Sequence, residues 1–407
     1  MGDKGQRFIA RVAALCFAAC GLAFPLLAGD ALAQRISPEL ESRLTESQLR
    51  QYRAYLEARA AFDRQLDAYW DDVDDKREAR RRKRSGQNSF TRSDYVLTQP
   101  PKYAGPPIPP DVARIIASVK EKEPEPQVAP RAGLAEFLAN AKTHYGFVPT
   151  LATEREFKRR YAEEALAAGL TKMQVVRVYA LETGGRGTYD MQAGIDPDTK
   201  KGTPISSALG YAQLLSGNSV NELLKHGPRF IARLNVMASA RGVGGARAAS
   251  LRHKAQVVGR MLRVARSVPN HWSNHVKLGA LPKGQGIHVL NLDADIGPWL
   301  QVQKLKDVLQ TAVNAGRSEL TPAELELMNL AGPRTGLDMM EAAGRDVPTS
   351  NFFSRTGYYR NTIVRERTSA ELIQAIDERM AQNIQKPGAI EFITIFDEVM
   401  RERRAAR

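Results

Sequence analysis

At four places between residues 171 and 371 a threonine or serine is followed three residues later by glutamine or glutamate: Thr171–Gln174, Ser219–Glu222, Thr321–Glu324 and Thr368–Glu371. That spacing lets the first side chain bond the backbone N–H three residues ahead while the second reaches back, so each pair predicts a helix start. Gly184, Gly227 and Gly332 stand where such helices should stop, because glycine closes a helix in the left-handed conformation at little cost. Apolar residues recur at helical spacing along Leu223, Leu224, Phe230, Ile231 and Leu234, along Val257, Met261 and Val264, and along Trp299, Val302, Leu305 and Leu309. Strand-like alternation is confined to Ile287–Leu290. The pattern predicts a mainly α domain over residues 131–407, built from helices of modest length around one core.

The chain upstream of that domain cannot fold the same way. Prolines at 100, 101, 106, 107, 109, 110, 124, 126 and 130 remove donors and favour extended backbone, so residues 87–130 are expected to be a linker with one short helix around Val112–Val119. Residues 34–86 read as a charged helical arm. Its apolar residues, Leu40, Leu44, Tyr52, Tyr55, Leu56, Phe62 and Tyr69, are too sparse to predict a core, and acidic residues at 71–75 give way to a basic run at 76–84. A solvated helix is the plain expectation, and a basic arm lying on an anionic wall or membrane surface is the sharper one.

Residues 1–33 have the organisation of a cleaved secretory signal. Lys4, Arg7 and Arg11 precede an apolar run from Val12 to Leu27, and Ala31-Leu32-Ala33 follows before Gln34. Export to the periplasm is therefore expected, and it changes the meaning of the formal net charge of +14. A basic chain inside a cell would suggest nucleic acid; an exported one meets cell-wall polymer and anionic membrane first, so no nucleic-acid partner is expected. Cys16 and Cys20 are the only cysteines and both lie in the signal, which excludes disulfides, thiolate metal sites and cysteine nucleophiles from the remainder.

Glu182 occupies an unusual place. Val175, Val178, Tyr179 and Glu182 fall at i, i+3, i+4 and i+7, so the carboxyl continues the apolar stripe instead of the wet face. Desolvation there raises its pKa and keeps it protonated, which is what a general acid needs; the plain alternative is a helix-terminal glutamate in solvent or paired with Arg186. A second segment, Ser206 to Leu215, sets Gly210, Tyr211 and Gln213 together, offering close backbone approach, a flat aromatic face and an amide. A third, Ala323 to Arg334, ends a capped helix with Asn329, Ala331 and a Gly-Pro stop.

In order and character these three segments resemble the motifs of the lytic transglycosylases of the lysozyme-like superfamily. Glu182-Thr183 is similar to the family's Glu-Ser, Gly210-Tyr211-Ala212-Gln213 to its Gly-Leu-Met-Gln, and Met328-Asn329-Leu330-Ala331-Gly332-Pro333 to its Tyr-Asn-Ala-Gly-Pro. Tyr211, Ala212 and Met328 depart from the family pattern. The resemblance implies a lysozyme-like helical domain that cleaves peptidoglycan strands between N-acetylmuramic acid and N-acetylglucosamine. Glu182 would be the single acid and base, and Thr183, Gly210, Tyr211, Gln213, Asn329 and Ala331 would contact substrate. No cofactor and no metal are implied. An aspartate approaching Glu182, Asp190 or Asp196, would make the protein a hydrolytic muramidase instead, and loss of activity would leave a wall-binding or assembly protein. His271–His275 has metal-ligand spacing without the rest of a zinc motif, and Asp196–Gly202 and Asp293–Asp295 are expected to be turns.

Overall fold

The computed structural model describes residues 36–120 and 131–406; the expected signal segment and the last prolines of the linker lie outside them. The described chain is mainly helical. Helices α1 (Pro38–Arg43), α2 (Glu46–Ser85) and α3 (Pro110–Lys120) come first, then α4 (Leu134–Tyr145), α5 (Glu154–Ala167) and α6 (Lys172–Thr183). After an irregular stretch follow α7 (Ser216–Ala238), α8 (Gly245–Ala265), α9 (Trp272–Ala280), α10 (Pro282–His288) and α11 (Gly297–Asn314). The chain closes with α12 (Pro322–Ala331), α13 (Pro333–Met340), α14 (Ala342–Arg345), α15 (Arg355–Arg360), α16 (Ser369–Asn383) and α17 (Pro387–Ala405). Among the described residues no helix is long and apolar enough to cross a membrane.

Three of the four predicted caps form. Thr171, Thr321 and Thr368 accept from the N–H groups of Gln174, Glu324 and Glu371 at 3.2, 3.2 and 3.3 Å. Ser219 does not: it lies within the first turn of α7, where its hydroxyl pairs with Nδ1 of His288 at 2.8 Å. Gly184 ends α6 at a φ of 65° and Gly332 ends α12 at 90°, as their positions predict. Gly227 is no stop. α7 continues through it and through Pro228, and its missing side chain admits α8, since a Cβ there would stand 3.1 Å from Leu262. The run Ile287–Leu290 is helical, closing α10 and opening a short 3-10 turn; buried on all sides, it carries the apolar sequence of a strand without the pairing partner of one.

The helices enclose two large apolar clusters instead of one. α4, α7, α8 and α10 surround Phe137, Tyr145, Leu223, Leu234, Val258, Met261 and Ile287. α5, α6, α12, α16 and α17 surround Phe157, Tyr161, Tyr179, Leu325, Ile376, Phe392 and Phe396. α11 joins them, giving Trp299 and Leu300 to the first and Val302, Leu305 and Val308 to the second. A buried ion group fixes the joint between α5, α8 and the turn at 293–295. Lys254 lies 2.7 Å from Asp293 and 2.6 Å from Asp295, and Arg160 reaches Asp295 at 3.0 Å. These aspartates form a turn, as expected. Asp196 likewise closes its own turn by accepting from the N–H groups of Asp198 and Thr199 at 3.0 and 2.8 Å.

The arm departs most from the sequence reading. Leu66, Trp70 and Val73 of α2 enter the second cluster, and the Trp70 ring packs against Tyr358 and Tyr359 at 5.6 and 5.9 Å. Three of the arginines read as surface charge turn inward. Arg77 donates to the carbonyls of Ser350 and Phe353, Arg80 to those of Asp94 and Asn351, and Arg84 pairs with Asp338. Arg80 is buried and lies over the Tyr95 ring at 4.3 Å. The start of the expected linker is pinned as well, by the two-way bond of Val96 with the Asn351 side chain, 2.8 Å in each direction. Few apolar residues suffice here because each is large and the arginines bring their own carbonyl partners. The short helix expected around Val112–Val119 forms as α3.

Candidate active site at a buried carboxyl pair

α6 carries Glu182 one residue from its C-terminus, with the left-handed Gly184 turning the chain away. The residue is 8% exposed, so the stripe through Val175, Val178 and Tyr179 does continue through it. Arg186, its alternative partner, pairs instead with Asp198 at 3.0 Å. The group facing Glu182 comes from α12: the Asn329 amide donates to Glu182 Oε1 at 3.3 Å and to the two oxygens of Glu326 at 3.3 and 3.2 Å. Glu326 is buried, and the Asn329 amide bridges the two carboxyls, a closeness that favours keeping one proton between them.

Burial is the largest cause of the raised pKa of Glu182, followed by repulsion from Glu326 and opposed by the ammonium of Lys304 on α11. The negative end of the α6 dipole lies close by and adds to the same effect. Glu326 is pushed up to about 7, again chiefly by burial, with Lys304 and Asn329 pulling the other way. Lys304 is lowered by its own burial and held up by Glu182, Glu326 and Glu222. The Glu182 Oε2 atom has no protein donor. At neutral pH the pair keeps a proton beside a single cation, which is an acid and its potential conjugate base held in one place.

A groove of about 330 Å³ opens between α7, α11 and the end of α12, and neither Glu182 nor Glu326 is among the residues that line it. Asn329 and Lys304 belong both to its wall and to the surroundings of the pair. Ala331, Gly332 and Pro333 form one side, Asn218, Asn221, Glu222 and Lys225 of α7 the other, and Trp272, 36% exposed, stands with them.

Of the residues expected to contact substrate, the structure brings Asn329 and Ala331 to this groove. The others are internal. Thr183 is buried and its hydroxyl donates to the Tyr179 carbonyl at 2.7 Å. Tyr211 is 1% exposed and forms the hub of an aromatic knot, 5.0 to 5.7 Å from Phe157, Tyr161, Tyr179 and Phe392, with its hydroxyl donating to Glu154. This corrects the sequence reading: its flat face is spent on core packing. Gln213, also buried, donates to the carbonyls of Met191 and Gly210 at 3.2 and 2.8 Å and holds its own backbone at a φ of 40°. Gly210 sits at a φ of 78°, where a Cβ would meet Gln301 at 2.6 Å, so its close approach is to α11 and not to a ligand. Asp190 bonds Thr188 and Lys200 and Asp196 closes its turn; the carboxyl that approaches Glu182 is Glu326.

Glu326 and Lys304 escaped the sequence reading. Glu326 lies three residues before Asn329, one helical turn, so a face that turns Asn329 inward turns Glu326 inward too. Lys304 falls on the face shared by Gln301, Leu305 and Val308, all buried. Compared with known proteins, the chain matches no family model, no curated protein and no solved structure.

Proposed function

We propose that the protein is an exported, lysozyme-like lytic transglycosylase of peptidoglycan, with Glu182 as acid and base. The observation that carries the reading is the buried pair of Glu182 and Glu326, bridged by Asn329, behind the wall of a groove lined by amides and a tryptophan. Amide groups and one aromatic face suit a polyhydroxylated, N-acetylated chain. In the proposed reaction Glu182 gives its proton to the bridging oxygen as the bond from the muramyl C1 breaks. Its carboxylate, now facing Lys304, takes the proton of the muramyl C6 hydroxyl, whose oxygen closes on C1 to form the 1,6-anhydro ring. One bond breaks, one forms, no water is consumed and Glu182 ends protonated. The nucleophile belongs to the same sugar, so proximity replaces the second positioned carboxylate of an ordinary glycosidase. Glu326 then serves to keep Glu182 protonated between turnovers.

The test is mass spectrometry of the products from purified sacculi, with the parent and Glu182→Gln proteins side by side. Anhydromuramyl ends, one water lighter than reducing ends, from the parent alone support the reading. Reducing ends would make the protein a muramidase, with Glu326 as the second carboxylate. Sacculi bound but uncut would favour a non-catalytic wall-binding protein, a reading supported by the internal positions of Tyr211 and Gln213 and by Glu182 lying behind the groove wall.

A further inference from the structure

The groove wall opposite Asn329 holds two carboxylates that this reaction does not use, Glu222 and Asp307, with His226 next to them. Glu222 and His226 stand four residues apart on α7 and so share a face; Asp307 reaches them from α11. His226 Nε2 lies 3.1 Å from Asp307 Oδ2 and 3.6 Å from Glu222 Oε2, and one donor atom from each of the three lies within 4.8 Å of the others. Ligands held at about 2.1 Å around a tetrahedral ion are separated by roughly 3.4 Å. Two of the three separations already bracket that value, and the third closes with a small rotation of Asp307, whose side chain is 31% exposed.

A second observation points to a ligand. Glu222 is 2% exposed, and its Oε2 atom, the one turned toward His226, is buried without any hydrogen-bond donor. A carboxylate oxygen stripped of water and donors is costly, and a cation seated between it and the imidazole removes that cost. Lys225 supplies part of the compensation, 3.2 Å from Glu222 Oε1 and 3.1 Å from Asp307 Oδ2. Its side chain is 43% exposed, however, and its flexible stem can carry the ammonium out into the groove without losing hydration.

We propose that Glu222, His226 and Asp307 are a three-ligand site for a divalent transition-metal ion, zinc by preference, with its fourth position open to the groove. An imidazole with two carboxylates suits zinc and its neighbours better than calcium or magnesium, which take oxygen ligands. Binding exchanges the Lys225 ammonium for the ion and turns that ammonium toward whatever the groove contains. The site uses neither carboxyl of the Glu182–Glu326 pair.

Equilibrium dialysis of the chelator-stripped full chain against zinc chloride, followed by metal quantification, tests the site without any activity assay. One ion per chain is expected, with half-saturation in the micromolar range or below and a matching rise in Tm. His226→Ala and Asp307→Asn should each weaken binding at least about tenfold, while His144→Ala, at an exposed histidine on α4, leaves it unchanged. Lys225→Met should tighten it by removing the competing ammonium. The absence of saturable binding up to about 1 mM zinc, or equal affinity in His226→Ala and Asp307→Asn with circular dichroism like the parent's, would overturn the site.

Discussion

Replacing Glu326 by glutamine tests the shared proton through stability alone. In the unfolded chain Glu326 titrates near 4.5, and in the folded protein it is pushed up to about 7. Between those values the folded state binds the extra proton, so stability falls as pH rises through the window; the stabilising contribution is complete below 4.5 and gone above 7. A difference of about 2.5 units at 1.36 kcal/mol each corresponds to about 3 kcal/mol between pH 4.5 and 8. Glutamine keeps the shape and can still face Asn329, but carries no proton to lose. It also removes the repulsion that helps hold Glu182 protonated. Glu182 then ionises at lower pH beside Lys304. Urea unfolding of parent and Glu326→Gln proteins at pH 5, 6, 7 and 8 reads the effect, because the other titrating groups cancel in the difference. The variant should gain on the parent by about 2–3 kcal/mol across the series. A difference that stays constant within about 0.5 kcal/mol would show that the two carboxyls do not share a proton.

Three further outcomes follow from the same geometry. Lys304→Met removes the cation beside the pair, so both carboxyls should hold their protons to higher pH, and the fall in stability with pH should move upward; a fall at the parent's pH refutes the role of Lys304. Tyr211→Phe loses the hydroxyl bonded to Glu154 and should cost about 1 kcal/mol of stability without changing KM on glycan fragments. A large rise in KM would return Tyr211 to the substrate site. Trp70→Ala empties the contact between the arm and α15 and should cost about 3–5 kcal/mol in urea unfolding, whereas a merely solvated arm predicts a loss near zero.

The helix starts at Thr171, Thr321 and Thr368 were legible because a cap is settled by side chains within one turn of each other. Ser219–Glu222 has the same letters and fails for a tertiary reason. The Asn218 side chain already takes the N–H of Leu215 at 3.1 Å, starting α7 earlier, and Ser219 is claimed by a histidine far along the chain. Burial of Glu182 could be read because its stripe is continuous over two turns. Its partner could not, since Glu326 stands in an alternation of Glu324, Leu325, Glu326 and Leu327 that looks like a helix with one wet face. Only the approach of α6 and α11 to both sides of α12 buries that face. The small polar set around Tyr211 misled in the opposite direction: a tyrosine, a glutamine and a glycine suited to a sugar are equally suited to a tight internal turn, and the aromatic residues that decide the matter come from α5, α6 and α17.

The inward anchoring of α2 gives the front of the molecule the mechanics of a strut. The contacts that tie the helix to the body lie between Phe62 and Arg84, so the sixteen residues before Phe62 form roughly 24 Å of rod, at 1.5 Å per residue, whose heading is set by the body that grips its other end. A supple connector tolerates added or deleted residues because only its length matters. A rod does not: one residue inserted at its root turns everything beyond by roughly 100°, and seven nearly restore the original bearing. Spacing changes in this region should therefore act periodically, through direction before distance.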